Sequence, residues 1–419
     1  MRSLILLCVG IFTFQNLSAQ SNAKIADSLY AVGKYEEAVL LMEKEDTSSV
    51  KILVDLAKYY KANSDNKKAL KTYKKILDLD SSRVLTALNY GETLLSLNEL
   101  KKADSLYENL NLRYPENAQF YYSRGLANER MGNDSLALDL FKKTHKFDQY
   151  HQNALYKLSK ESLRNKDYQQ ALVYTAMGLS KNEKNVSLLS ITAQTYSAMA
   201  VFYEAIPHYE KLIELGQGNE FIHTKLAYAY YKDGDFDKAI ENYKEALLYE
   251  PGNSSTHFLL GKMYSLTKDF QHAEQHLLMA IEIKDQPMDA EYFSLALTYK
   301  HLEEYKKAFD WFQETLKENP DHIRAMYERA VAGDNYFKDI DTIINYYQAF
   351  WDKYYEKDPN YLAEGMLYLT KNRISDLKKK KHLAAEKASE ENEKDQLKDS
   401  LAEADTSDIS EQKNSIKII

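Results

Sequence analysis

The chain has 419 residues and a formal net charge of −8 at pH 7, and hydrophobic residues make up 44% of it. Its 13 glycines and 6 prolines are too few for the many turns of a large sandwich, barrel or doubly wound sheet. This composition excludes those folds and predicts an all-α fold with a packed core. The acidic balance offers no global basic field, so we expect no nucleic-acid partner.

Residues 1–19 have the pattern of a signal peptide. Arg2 precedes an apolar run from Leu4 to Phe14, and small and polar residues follow as far as Ala19. The run is about half of the ~20 apolar residues that cross a bilayer, and no later segment is long enough. We therefore expect an exported, periplasmic or cell-envelope-associated protein without a membrane span in the mature chain. The single cysteine, Cys8, would be removed with the signal peptide.

Small residues recur along the chain at a nearly constant interval. Nine alanines, called the anchors below, follow one another at spacings of 31 residues, then 34 six times, then 35. The anchors are Ala38, Ala69, Ala103, Ala137, Ala171, Ala205, Ala239, Ala273 and Ala308. A second small residue, the first slot, stands 12 residues before each anchor: Ala26, Ala57, Gly91, Gly125, Ser159, Ala193, Ala227, Gly261 and Ala296. Because helices approach most closely where their side chains are small, each pair predicts one helical hairpin.

Glycine and proline punctuate these hairpins. Three glycines fall where the first helix should end in a left-handed cap: Gly33, Gly132 and Gly234. Three prolines fall 12 residues after an anchor, where the second helix should stop: Pro115, Pro251 and Pro320. Aromatic residues surround each pair of small residues and are expected to fill the space around the helix crossing.

The pattern resembles the tetratricopeptide repeat family. One repeat shows it in full, with Leu226-Ala227, Tyr230, Ala239, Tyr243 and Pro251 at the family's spacing. The resemblance covers residues 20–320 in nine repeats. It implies a right-handed superhelical solenoid with a concave inner face, built as a partner-binding scaffold and not as an enzyme. Some members bind carboxylate tails through a lysine in a slot where no repeat of this chain has one.

The C-terminal part departs from the pattern. Residues 321–358 predict a divergent tenth repeat, with Ala330 in the first slot and Thr342 at the anchor position. Residues 359–385 carry apolar side chains at helical spacing and predict a capping helix. Residues 386–419 are highly charged and contain no aromatic residue. We expect this tail to be disordered or a frayed helix, because it cannot bury a core.

Catalytic and cofactor motifs do not appear. No glycine is placed for a serine elbow, a phosphate loop or a dinucleotide-binding turn. His272 and His276 lie one helical turn apart, but the glutamate between them is displaced from the position that zinc proteases use, and no third ligand is evident. We therefore expect neither metal nor cofactor, and no enzymatic activity.

Function in such an array is expected on the concave face, which the first helix of each repeat supplies. There, exposed aromatic residues alternate with lysine and arginine from the fourth to the ninth repeat. Such a surface suits an extended or helical peptide that carries carboxylates. The candidate partner-binding residues are Tyr122, Tyr156, Lys160, Arg164, Tyr228, Tyr231, Lys232, Phe258, Lys262, Phe293 and Lys300. The alternative for each is plain packing against the next helix.

Three functions agree with this surface. The first is a non-catalytic scaffold of the cell envelope that binds a protein or acidic peptide in the groove. The second is a receptor for a polysaccharide or cell-wall fragment, in which the aromatic rings stack on sugars. The third, a regulatory arm for a separately encoded enzyme, cannot be distinguished from the first by sequence.

Overall fold

The computed structural model of the chain describes residues 22–284, 288–355 and 363–415, and it describes side chains up to residue 398. The predicted signal peptide, residues 1–19, lies outside these ranges. Every regular element in the described part of the chain is an α-helix, which confirms the all-α fold class. None of these helices is both long enough and apolar enough to cross a membrane.

The helices follow the predicted hairpins in chain order. The first ten are α1 (Asn22–Ala31), α2 (Tyr35–Met42), α3 (Val50–Ala62), α4 (Asn66–Leu79), α5 (Val84–Ser96), α6 (Leu100–Arg113), α7 (Ala118–Arg130), α8 (Asp134–Phe147), α9 (Gln152–Arg164) and α10 (Tyr168–Leu179). The next eight are α11 (Val186–Ala198), α12 (Phe202–Glu214), α13 (Glu220–Asp233), α14 (Phe236–Tyr249), α15 (Ser254–Leu266), α16 (Phe270–Ile283), α17 (Asp289–His301) and α18 (Tyr305–Glu318). The last three are α19 (Ile323–Tyr336), α20 (Ile340–Tyr354) and α21 (Glu364–Ser415).

The chain divides into two compact halves, residues 1–208 and 209–419. In each half, consecutive helices pair as hairpins, so that α1 and α2 form repeat one and α19 and α20 form repeat ten. Each hairpin lies against the following one within its half, and this stacking buries a continuous core.

The small residues lie where the helices cross, as predicted. Ala137 has 2% of its surface exposed and the other eight anchors have none. The first slots are buried as well. They face the residue four positions after the anchor: a Cβ atom on Gly125 would lie 2.6 Å from Cε1 of Phe141, and one on Gly261 would lie 2.8 Å from Cγ of Leu277. No larger side chain fits at these crossings without a shift of its neighbour.

Each of the nine regular hairpins turns through one left-handed residue, five positions before the anchor. The three glycines predicted as caps have φ values of +81° (Gly33), +80° (Gly132) and +94° (Gly234). The same position is left-handed in six repeats without glycine: Ser64, Asn98, Lys166, Ala200, Lys268 and Glu303. The turn is therefore imposed by the hairpin, since these residues do not favour a positive φ by themselves.

Repeat ten differs by one residue from the prediction. Ala330 is buried in its first slot, but the buried residue near the start of α20 is Ile343, with 5% exposure, and not Thr342. Thr342 lies in the first turn, where its backbone N–H and its hydroxyl both donate to the Asp339 carboxylate at 2.9 and 2.6 Å. The extra residue lies in α19, which has 14 residues where the first helices of most other repeats have 13.

Helix α21 covers the end of repeat ten. Ile374 and Leu377 are buried against Ala330, Ile343 and Tyr347, whereas the side chains from Lys378 to Lys398 are exposed. The helix continues to Ser415, so the predicted break between a capping helix and a disordered tail at residues 385 and 386 is wrong for the described residues. Its many Ala, Glu and Lys residues are good helix formers and favour a helix even without a core to pack against.

Candidate functional site

A groove of about 900 Å³ lies in the N-terminal half, on repeats four to six. Three of the predicted partner-binding residues, Tyr156, Lys160 and Arg164, line it. They stand four residues apart on α9, and side chains at this spacing share one face of a helix. The groove therefore brings together three of the four candidates that the sequence places in this half.

Two ion pairs border this groove. Lys157 Nζ lies 2.6 Å from a carboxylate oxygen of Glu129, and Arg164 Nη2 lies 2.7 Å from Oε1 of Glu161. The hydrogen bond from Arg164 lowers the pKa of Glu161, so this carboxylate stays ionised well below neutral pH. Lys160 makes no ion pair with any described residue, which leaves its ammonium group available to a ligand.

The far wall of the groove belongs to α11 and is uncharged. Gln194 donates to the carbonyl and hydroxyl oxygens of Ser190 at 3.1 and 2.9 Å, and Val186 and Ile191 add apolar surface. Ser190 and Gln194 occupy the predicted inner-face positions, 15 and 11 residues before Ala205. A search for aromatic and basic residues passes over them because they are neither.

Tyr122 lies apart from the groove lining. Its ring centroid is 4.7 Å from that of His151 and 5.7 Å from that of Phe141. Burial raises the pKa of its hydroxyl, as expected for a ring held in the core. The contacts of Tyr122 are those of a packing residue.

In the C-terminal half, Tyr228, Tyr231 and Lys232 form one cluster on α13. The two rings meet edge to face with their centroids 6.0 Å apart, and Lys232 Nζ lies 5.4 and 5.1 Å from the centroids of Tyr228 and Tyr231. Cation–π contacts of this kind are worth about 0.5–1 kcal/mol at an exposed site. Tyr228 is 38% exposed, so the cluster presents aromatic surface to the solvent.

The remaining candidates in this half vary in availability. Lys262 lies over the ring of Phe258 at 5.5 Å, while Phe258 and Phe293 both pack against the core of repeats eight to ten. Lys300 Nζ lies 2.5 Å from a carboxylate oxygen of Glu328, which is mostly buried. Phe293 and Lys300 are therefore held by the fold, whereas Lys262 keeps a free ammonium group.

The sequence analysis missed a second cavity of about 580 Å³ on repeats one to three. Its charged lining residues are Lys58, Lys61 and Arg83, with no carboxylate among them. Lys58 Nζ lies 4.2 Å from the centroid of Tyr30, and Lys61 is paired with Glu92 at 2.8 Å. The same inner-face positions that selected Tyr156 and Lys160 contain Val54 and Lys58 in repeat two, so the periodicity already pointed to this surface.

The two histidines of the weak zinc motif have other partners. His272 Nδ1 lies 2.7 Å from Oδ2 of Asp269, and His276 Nδ1 lies 2.9 Å from Nδ1 of His257. The ring of Tyr264 stacks against both His272 and His276. The described residues contain no group of three or more side chains arranged to hold a metal ion.

Three segments match models of one repeat family. Residues 227–267 match the model described as "TPR repeat", and residues 91–150 and 292–322 match models described as "Tetratricopeptide repeat". Each matched segment contains anchors and first slots that the structure places at helix crossings. The chain is a tetratricopeptide repeat (TPR) protein. TPR arrays are in general non-catalytic scaffolds for protein–protein interaction.

Several solved TPR structures are similar to this TPR protein. YrrB, described as a TPR protein with an unusual peptide-binding site, is 16% identical over 45% of this chain and 97% of its own, with a TM-score of 0.43. MamA from Desulfovibrio magneticus RS-1 is 20% identical over 40% of this chain and 94% of its own, with a TM-score of 0.37. A TPR protein from Parabacteroides merdae ATCC 43184 is 17% identical over 60% of this chain and 99% of its own, with a TM-score of 0.40. No curated protein sequence matches the chain significantly.

Proposed function

We propose that this TPR protein is a non-catalytic scaffold of the cell envelope that binds a peptide segment of a partner protein in the groove of repeats four to six. The observation that carries the proposal is the position of Tyr156 beside Lys160 in a 900 Å³ groove, with no described carboxylate paired to that lysine. An aromatic plate supplies contact area at low entropic cost, and an unpaired cation fixes the orientation of a ligand.

The partner segment is proposed to be acidic. A carboxylate at Lys160 would complete the third ion pair of a groove that already contains two. The cavity of repeats one to three supports the same chemistry, because Lys58, Lys61 and Arg83 line it without a carboxylate. Cavities of ~300–1,000 Å³ accommodate a few side chains of a bound chain.

The envelope location rests on the signal-peptide pattern of residues 1–19. The test is to express the full chain with a C-terminal tag, fractionate the cells and determine the N-terminus of the tagged product by mass spectrometry. We expect a product that begins at Gln20 in an envelope fraction. A cytoplasmic product that still begins at Met1 would contradict this location.

Binding of a polysaccharide or cell-wall fragment is the second candidate. The exposed rings of Tyr228 and Tyr231 favour it, but Lys232 lies over both rings and occupies surface that a sugar would need. Salt separates the two candidates. Raising the ionic strength from about 0.1 M to about 1 M shortens the Debye length from ~10 to ~3 Å, which should weaken an acidic peptide strongly and a saccharide little.

The groove is tested by crosslinking capture from envelope extract with the mature chain. A variant that carries Tyr156→Ala and Lys160→Ala should lose most of the partner captured by the wild type. The notebook's companion pair in the other half, Tyr228→Ala with Lys232→Ala, tests the second cluster separately. Tyr203→Ala is the matched control, because this ring on α12 is 65% exposed and does not line the groove. Equal capture by the wild type and the groove variant would refute the groove.

A further inference from the structure

Arg329, on α19, is a part-buried cation without a hydrogen-bond partner. Its Nε atom is shut off from solvent and no described residue accepts a hydrogen bond from it. The guanidinium carbon lies 5.2 Å from the ring centroid of Tyr346, and burial lowers the pKa of the group. Since an arginine offers five donors, an unsatisfied one in such a place is costly unless something else binds it.

Arg124 shows what this position looks like when it is satisfied. Both arginines come directly before a first slot, Gly125 and Ala330 respectively, and each is the seventh residue of its helix. Arg124 Nε donates to Oδ1 of Asp104 at 2.9 Å, and its Nη2 donates to Glu108. Two carboxylates of the preceding repeat thus hold the fork of Arg124.

The preceding repeat offers Arg329 no such carboxylates. Asp104 and Glu108 stand one and five residues after the anchor Ala103, and the matching residues after Ala308 are Phe309 and Gln313. Tyr346 packs edge to face against Phe309, with their centroids 5.1 Å apart, and stacks on Phe337 at 5.7 Å. An aromatic wall therefore replaces the carboxylates beside Arg329.

We propose that Arg329 is a binding site for a carboxylate group of a partner protein. The planar guanidinium matches a carboxylate through two parallel hydrogen bonds, and Arg124 shows that carboxylates are the groups that fill this position. The neighbouring rings exclude water from one side, which strengthens a charge-assisted hydrogen bond. This site is separate from the groove proposed above and does not depend on it.

Stability measurements separate a binding role from a structural one. Arg124→Gln should lower the melting temperature of the mature chain by several degrees, because it leaves Asp104 and Glu108 without their partner. Arg329→Gln should not lower it, since no internal hydrogen bond is lost. Gln313→Glu should raise it by supplying the missing carboxylate. A drop for Arg329→Gln as large as that for Arg124→Gln would overturn the proposal.

Binding is read at the residue itself with phenylglyoxal, which modifies accessible arginines and can be followed by mass spectrometry. A tetraglutamate peptide should slow the modification of Arg329 by about tenfold, the effect of one charge-assisted hydrogen bond of ~1.5 kcal/mol or more, whereas a tetraglutamine peptide should not. Arg324, whose side chain is 61% exposed, is the control and should react equally with either peptide. Equal rates at Arg329 with both peptides would overturn the proposal, as would protection by inorganic phosphate alone.

Two further variants make the result specific. Gln313→Glu should abolish the protection by tetraglutamate, because an internal carboxylate would already occupy the guanidinium. The Tyr156→Ala, Lys160→Ala variant should retain the protection in full. Loss of protection in that groove variant would contradict the independence of the two sites.

Discussion

The ring of Tyr107 fills the space that a side chain on Gly91 would need. A Cβ atom at position 91 would lie 2.4 Å from the Tyr107 hydroxyl oxygen and 2.5 Å from its Cζ atom. Tyr107 is fully buried, so the ring has little freedom to move away. The helix crossing of repeat three therefore depends on the absence of one methyl group.

Gly91→Ala is expected to lower the free energy of unfolding by ~1–3 kcal/mol, as overpacking usually does. Alanine is the better helix former by about 1 kcal/mol, so a loss of stability would come from the collision alone. Gly365→Ala is the control, because nothing lies within 4 Å of a Cβ atom there, and it should leave stability unchanged or raise it. Urea denaturation checks both variants, and a gain of stability in Gly91→Ala would contradict the packing.

The left-handed residues predict a stabilising substitution. Ala200 has a φ of +59°, a conformation that costs a residue with a Cβ atom roughly 1–2 kcal/mol. Ala200→Gly should raise the free energy of unfolding by about 1 kcal/mol, after the greater flexibility of glycine in the unfolded chain is subtracted. Gly234→Ala, at a φ of +94°, should lower it. Thermal melts of both variants test the pair, which must shift in opposite directions.

Acid is expected to destabilise repeat eight through His276. The Pro251 carbonyl oxygen lies 3.0 Å from His257 Nε2 and can only accept, so that nitrogen carries the proton. Nδ1 of a neutral His257 then accepts from His276 Nδ1. Burial, with His257, His272 and Lys244 nearby, lowers the pKa of His276 to about 4 from 6.5. Because the folded chain binds fewer protons than the unfolded one in this window, the free energy of unfolding should fall as the pH falls from about 6.5 towards 4.

Repeat seven supplies the matched variant for this measurement. There the equivalent pair is His223 and Asn242, whose Nδ1 and Oδ1 atoms lie 3.1 Å apart. His276→Asn should reproduce that pair and remove the contribution of His276. Urea denaturation at several pH values should show a smaller loss of stability in acid for this variant than for the wild type. Identical pH profiles would mean that His276 titrates normally in the folded chain.

Lys300 and Lys262 are expected to respond differently to substitution. Lys300→Ala should lower the free energy of unfolding by ~1–3 kcal/mol, because it leaves the mostly buried Glu328 carboxylate without its ion-pair partner. Lys262→Ala removes only a cation–π contact with Phe258 and should change stability by less than about 1 kcal/mol. Equal effects in denaturation would show that the Lys300 ion pair contributes nothing.

The hairpins could be predicted because tiny side chains at a fixed interval have one physical explanation, close helix crossings. The turns were predicted only where glycine marks them. Lys166, Lys268 and Glu303 adopt the same positive φ, since the packing of the two helices forces it on whatever residue stands there. The tail was predicted poorly for a related reason: its composition shows that it lacks a core, but helix propensity along α21 is a separate quantity.

The candidate site could be predicted only in part. Helical spacing places Tyr156, Lys160 and Arg164 on one face, and the structure brings them together around one groove. The same spacing selected Lys300 without showing that Glu328, 28 residues further along the chain, would reach it. Periodicity gives the direction of a side chain but not its partner in the next repeat, and that partner decides which cations are left for a ligand.

The uniform turn gives the array a modular seam. Lys166 and Ala200 stand 34 residues apart with φ values of +61° and +59°, so the backbone passes through the same conformation at both points. A segment cut at these two positions could be duplicated in frame, and the inserted copy would meet matching geometry at either end. The number of hairpins can therefore grow or shrink by whole repeats without a new linker.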